Sequence, residues 1–152
     1  MDSEQLRRLG DKQALQELLV SYARSCDDRD WPRYRSLFIA EAEIDYTGAY
    51  GRSGRRDDIA DWIEPLMSGP ALQHTQHFLS NIEITLQGDQ AAGRADYLNP
   101  DVFTRPAGRE LLVNGGIYEF TAVRTDGVWR FSSLAARILW SAKGDLLARL
   151  LG

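Results

Sequence analysis

Residues 73–103 read QHTQHFLSNIEITLQGDQAAGRADYLNPDVF. An extended run over 77–87 ends at Gly88–Asp89, and a second begins at residue 90, the signature of a β-hairpin. Downstream, ELLVNGGIYEFTAVR (110–124) and VWRFSSLAARILWS (128–141) read as two further long strands joined at TDG (125–127). Gly115 and Gly116 in mid-strand predict a bulge or a bend. Upstream the period changes. In DKQALQELLVSYARSCDDRD (11–30), Leu15, Leu18, Leu19, Tyr22 and Cys26 recur at helical spacing, with Asp11 as the expected N-cap. DWPRYRSLF (30–38) predicts a short second helix, capped by Asp30 with Pro32 in its first turn. AEIDYTGAYG (42–51) predicts a strand. RRDDIADWIEPLM (55–67) predicts a third helix burying Ile59, Trp62, Ile63 and Leu66, and GDLLARLL (144–151) a short closing helix. Helices followed by hairpin-linked strands make an α+β layout. A strongly bent antiparallel sheet packed on the N-terminal helices forms a cone, and such a concave, largely apolar interior suits a small molecule.

The 152 residues fit one domain spanning 1–152. Hydrophobic residues make up 43% and charged residues 26%, as expected of a globular chain. The net charge is −4, and no basic run exceeds the Arg pairs at 7–8 and 55–56, so no nucleic-acid partner is expected. One cysteine, Cys26, leaves no internal disulfide and no cysteine-based zinc site. The opening MDSEQLRRLGDKQ is charged, and no apolar run approaches the ~20 residues of a membrane helix. A cytoplasmic location with no membrane partner is therefore expected.

The chain has only two histidines, His74 and His77. A metal centre needs three or four ligands, and no further histidine or cysteine cluster supplies them, so no metal is expected. In an extended segment the two imidazoles point to opposite faces. His77 shares parity with Asn81 and Glu83 rather than with Ile82, Ile84 and Leu86, so a bulge or a doubly covered sheet is needed to turn it inward. A lone histidine is either a hydrogen-bonded structural residue or a general base. Asp27 and Asp28 end the first helix, where a carboxylate opposes the helix dipole at a cost of about 0.3–1 kcal/mol when exposed. On a helical wheel Asp28 falls in solvent and Asp27 at the edge of the apolar stripe.

ALQELLVSYARSCDDRDWPRYRSLF, HTQHFLSNIEI, AAGRADYL and DGVWRFSS together resemble the SnoaL-like group of the nuclear transport factor 2-like superfamily. The similarity is greatest to the branch holding scytalone dehydratase, bile-acid 7α-dehydratase and the lindane dehydrochlorinase. The resemblance implies an α+β cone with an internal active site, a His–Asp pair as base, no cofactor, and a homo-oligomer, dimer or trimer. By position it places the aspartate on Asp27, the histidine on His77, with His74 as a bystander or rim residue, and phenols on Tyr22 and Tyr46. Trp31, Tyr34, Phe38, Phe78, Tyr97, Tyr118 and Trp140 are candidate walls, Asn81 belongs to the strand motif, and Asp96 is a candidate further acid. The chain departs from the pattern in lacking a second active-site histidine. It also has Leu134 where the dehydrochlorinase has an arginine, and Tyr22 where that enzyme has a lysine. The function implied is a cofactor-independent lyase or isomerase of dehydratase type, acting on a small hydrophobic, aromatic or polycyclic substrate. Two alternatives remain. One is a ligand-binding or assembly subunit like the dioxygenase β-subunits. The other is an epoxide hydrolase or cyclase, for which Arg94 and Asp96 are the candidates.

Overall fold

The computed structural model describes residues 2–143. Helix α1 spans Ser3–Asp27, α2 spans Trp31–Ser36 and α3 spans Arg56–Met67. The strands are β1 (Phe38–Gly48), β2 (Ser53–Arg55), β3 (Leu72–Thr75), β4 (Phe78–Gln87), β5 (Gln90–Arg105), β6 (Gly108–Thr125) and β7 (Val128–Lys143). The expected closing helix at 144–151 lies outside the described residues.

Helix α1 starts well before Asp11. Asp2 and Gln5 form a capping box: the Gln5 amide donates to Asp2 Oδ1 at 2.8 Å, and the Asp2 amide donates to Gln5 Oε1 at 3.1 Å. Asp11, the expected cap, is buried mid-helix. It accepts from the Arg124 guanidinium and from Trp129 Nε1 (3.1 Å), pinning α1 to the base of the β6–β7 hairpin. Asp30 caps α2 as expected, accepting from the Arg33 amide at 3.0 Å. In α3, Ile59, Ala60 and Ile63 are buried, whereas Leu66 faces solvent.

The sheet runs β2-β1-β7-β6-β5, and β5 then carries both β3 and β4 along its far edge. The hairpins β4–β5, β5–β6 and β6–β7 are antiparallel, but β1 lies parallel to β7. The sheet is therefore mixed, not purely antiparallel. β1 and β7 are separated by a helix and five strands, so no tight turn forces them antiparallel. Register shifts at Gly115/Gly116 and Thr121/Ala122 bend β6 against β7. A side chain at Gly116 would meet the Arg137 carbonyl at 2.3 Å, so the bend depends on glycine there. The concave face holds an aromatic core in which Tyr22, Tyr34, Phe38, Phe120 and Phe131 pack at mostly edge-on or tilted angles.

Candidate active site

The chain breaks between β3 and β4, and His77 occupies the break. The Gln76 amide still reaches the Pro100 carbonyl of β5 (3.2 Å), but the His77 amide turns away to Asp27. Asp27 is the last residue of α1, and the chain leaves the helix through Arg29 in the left-handed region (φ 57°). The Arg29 guanidinium donates to the Leu72 carbonyl at 2.6 Å, tying β3 to the end of α1.

Three contacts join Asp27 and His77. The His77 amide donates to both carboxylate oxygens, at 3.1 and 3.0 Å, and Nδ1 lies 2.6 Å from Oδ1. These donors answer the unfavourable position of a carboxylate at a helix C-terminus. A carboxylate only accepts, so the proton of a neutral imidazole sits on Nδ1 and Nε2 is free to take another. Both side chains are largely withdrawn from water, at 6% and 10% exposure. Inward placement of His77 needed a change of parity, and Asn81 supplies it. Its φ is 49°, and the β4–β5 register shifts between Ser80 and Glu83. Half-buried positions are 77 and 79 before the bulge, then 82, 84 and 86 after it.

Beside the pair lies a buried polar band that the sequence reading missed. Asn99 Nδ2 donates to Thr75 Oγ1 (3.1 Å), to the Gln76 carbonyl (3.1 Å) and to Asp101 Oδ1 (3.2 Å). Asn114, opposite Asn99 on β6, accepts from Ser141 Oγ at 2.7 Å. Burial raises the Asp101 carboxyl above the usual range. The Thr75 hydroxyl, the His77 imidazole and the Asn99 amide pull it down, and the Asp27 carboxylate pushes it up. Period-two counting from Ala95 and Tyr97 places Asn99 and Asp101 on the inward face of β5, and that was the signal available. The further acid at the site is therefore Asp101. Asp96 is half-exposed, bound to Asn81 Nδ2 at 2.8 Å and near Arg94. Arg94, Asp96 and Asn81 thus stand together on the outer face, away from the interior, because even positions of β5 point outward.

Tyr22 and Tyr46 are both fully interior, and their hydroxyls are 2.6 Å apart. Tyr34 joins the chain through Tyr46 at 2.9 Å. Burial raises the phenols of Tyr22 and Tyr46 far above the ordinary tyrosine value, so both stay protonated donors. Tyr118 stacks on Tyr97 at 4.4 Å and meets Tyr22 edge-on at 5.4 Å. Phe38 is core, and Trp31 is buried with its indole N–H on Ser68. Trp140 is 52% exposed and lies over Gly115 on the outer face, as a corollary of its register opposite that glycine. Phe78 is half exposed. It lines an outer cleft of about 230 Å³ together with Val20, Ala23, Asp27, His77 and Leu79. His74 is exposed and lines a second outer cleft, of about 450 Å³, with Asp27, Asp28 and Thr75. Among the described residues no three histidine, cysteine, aspartate or glutamate side chains are grouped to hold a metal. No helix among them is long and apolar enough to cross a membrane.

The SnoaL-like domain family matches residues 7–135. The chain belongs to that family. An uncharacterized protein of Mycobacterium tuberculosis is 30% identical over 122 residues, covering 80% of this chain and 81% of that one. A dehydratase of Pestalotiopsis microspora is 31% identical over 134 residues, covering 81% and 83%. The scytalone dehydratase of Colletotrichum orbiculare is 26% identical over 136 residues, covering 84% and 72%. In fold, a hexachlorocyclohexane dehydrochlorinase of Novosphingobium barchaimii superposes with a TM-score of 0.78 at 23% identity, covering 92% of this chain and 94% of that one. Within this SnoaL-like family, then, the chain has relatives named as dehydratases, and its fold is that of the nuclear transport factor 2-like cone.

Proposed function

We propose that this protein is a cofactor-independent lyase of dehydratase type, with His77 as general base and Asp27 as its orienting partner. The observation that carries the reading is the 2.6 Å Nδ1–Oδ1 contact, reinforced by two bonds from the His77 amide. It fixes the ring and leaves Nε2 free to accept. Nε2 takes the proton next to a substrate carbonyl, and Asp27 stabilises the imidazolium. A phenol of the Tyr22–Tyr46 pair donates to the developing oxyanion. The imidazolium then returns its proton to the departing β-hydroxyl, which leaves as water. If the hydroxyl stays, reprotonation at another carbon makes the outcome an isomerisation. The aromatic interior suits a small hydrophobic, aromatic or polycyclic substrate. The outward row of Phe78, Leu98 and Trp140, each at least 40% exposed, supports a homo-oligomer.

The test is a panel of aromatic β-hydroxy carbonyl compounds assayed for dehydration. Wild type is expected to turn over at least one, and His77→Ala to lose roughly 10²–10⁴-fold in turnover. Ligand binding without turnover, unchanged in His77→Ala, would instead favour a binding subunit.

A further inference from the structure

Gln76 and Pro100 face each other across the break between β3 and β4. The Gln76 amide donates to the Pro100 carbonyl at 3.2 Å. In an antiparallel ladder such a bond has a reciprocal, in which the opposite residue's amide donates back. Proline has no amide hydrogen, so the Gln76 carbonyl lacks that donor. Asn99, the residue before the proline, supplies one from its side chain. Its Nδ2 lies 3.1 Å from the Gln76 carbonyl oxygen. Among the described residues no other group donates to that oxygen. Asn99 is 1% exposed, so water does not compete for the bond.

The Gln76 carbonyl and the His77 N–H belong to one peptide unit, and a peptide unit is planar. Asn99 grips it at the oxygen. Asp27 grips it at the nitrogen, at 3.1 and 3.0 Å. Held at both ends, the plane cannot rotate, which fixes ψ of Gln76 and φ of His77. Those two angles set the direction in which the His77 side chain leaves the backbone. They thereby seat Nδ1 at 2.6 Å from Asp27 Oδ1. Asp27 alone would leave one end of the plane free. Asn99 also ties this peptide to Thr75 Oγ1 (3.1 Å) and Asp101 Oδ1 (3.2 Å), so the plane is anchored to β3 and β5 together.

We propose that Asn99 is a positioning residue for the general base: its side-chain amide replaces the backbone donor that Pro100 lacks and holds the Gln76–His77 peptide in the orientation that seats the imidazole on Asp27. Its effect on turnover rests on reading His77 and Asp27 as the reacting pair. Its effect on the ring rests on the geometry alone.

The test compares wild type, Asn99→Leu and the double variant Asn99→Leu/Pro100→Ala, which returns a backbone N–H opposite the Gln76 carbonyl. ¹⁵N–¹H correlation spectra of histidine-labelled protein read the His77 ring. Wild type should show one neutral form protonated on Nδ1, Asn99→Leu a mixture of both tautomers, and the double variant a return toward the single form. Turnover of a hydroxy carbonyl should fall roughly 10–10²-fold in Asn99→Leu with KM little changed, and recover in part in the double variant. Exchange of the Asn99 side-chain NH₂ hydrogens in wild type needs no variant to fold, and slow exchange is expected. Rapid exchange overturns the assignment. So does a lower melting temperature in Asn99→Leu with the His77 ring unchanged, or a ring that the added N–H does not restore. Turnover that His77→Ala abolishes and Asn99→Leu leaves intact removes Asn99 alone. A ring scrambled in Asn99→Leu and restored in the double variant, without turnover by wild type, keeps Asn99 as the holder of His77 and removes the catalytic reading.

Discussion

Asp11 and Asp27 sit on the same helix, and their side chains are almost equally withdrawn from water, at 11% and 10% exposure. Their partners differ. Asp11 meets Arg124, a permanent cation, and the Trp129 indole N–H, a permanent donor. Asp89 holds the other side of the guanidinium. Asp27 meets an imidazole, which can take and release a proton, and a backbone amide that ladder pairing has left free. A buried carboxylate paired with fixed donors fastens the fold. Paired with an imidazole whose second nitrogen is open, it can hold a base for chemistry.

Substitution at these two positions of α1 should separate these roles. Asp27→Asn is expected to lower turnover by roughly 10²–10⁴-fold, because the amide no longer sets the tautomer or stabilises the imidazolium. Stability should change far less, since an amide oxygen still accepts from the His77 amide. Steady-state kinetics with the hydroxy carbonyl found by screening, alongside thermal melts, reads both. Asp11→Ala should do the opposite. It leaves a buried indole N–H without its acceptor and one side of Arg124 unpaired, a loss of about 1–3 kcal/mol, with turnover kept below the melting transition. If Asp11→Ala abolished turnover in the folded state, the contrast would fail.

A smaller effect is expected at Asp101, through pH. Its folded carboxyl is raised by burial, while in the unfolded chain it titrates near the ordinary value of about 3.9. Between those two values the folded state holds the extra proton. Stability is therefore fully favoured by protonation at the acid end and declines as pH rises through the window above the ordinary range. Denaturation of Asp101→Asn across pH should lack this decline. An identical pH slope in both proteins would place Asp101 in a more watery setting than the Asn99–Thr75 band provides.

The smallest expected signal comes from Cys26, one residue before Asp27. Burial, then the neighbouring Asp27 charge, pushes its thiol up to about 12. Native protein should resist thiol reagents over hours and react once unfolded. Rapid labelling would mean that the Asp27 end of α1 opens readily, which the comparison does not allow.

The helical and strand periods made the core legible, since Leu15, Leu19, Tyr22 and Cys26 are buried at the spacing that marked them. Asp27 and His77 met as the resemblance implied. Other features escaped for physical reasons. The capping box at Asp2 and Gln5 precedes the apolar stripe, so periodicity placed the start of α1 too late. The parallel β1–β7 pairing depends on contacts between the ends of the chain, which no local pattern carries. The Asn81 bulge that brings His77 onto the inward parity is an asparagine with positive φ, a conformation local sequence permits without announcing. Asn99 and Asp101 lie within the extended run that begins at residue 90 and were not singled out there, although their alternation with Tyr97 pointed inward. Asp96 drew attention in their place, and it proved to face solvent.

The most direct test of the central claim is the tautomer of His77, read by ¹⁵N–¹H correlation spectra of histidine-labelled protein at a pH where the ring is neutral. The chain has only two imidazoles, and a His74→Gln variant assigns them. The account predicts that His77 carries its proton on Nδ1, with Nε2 bare, and that Asp27→Asn disturbs this state. A His77 ring protonated on Nε2, indifferent to Asp27→Asn, would contradict it.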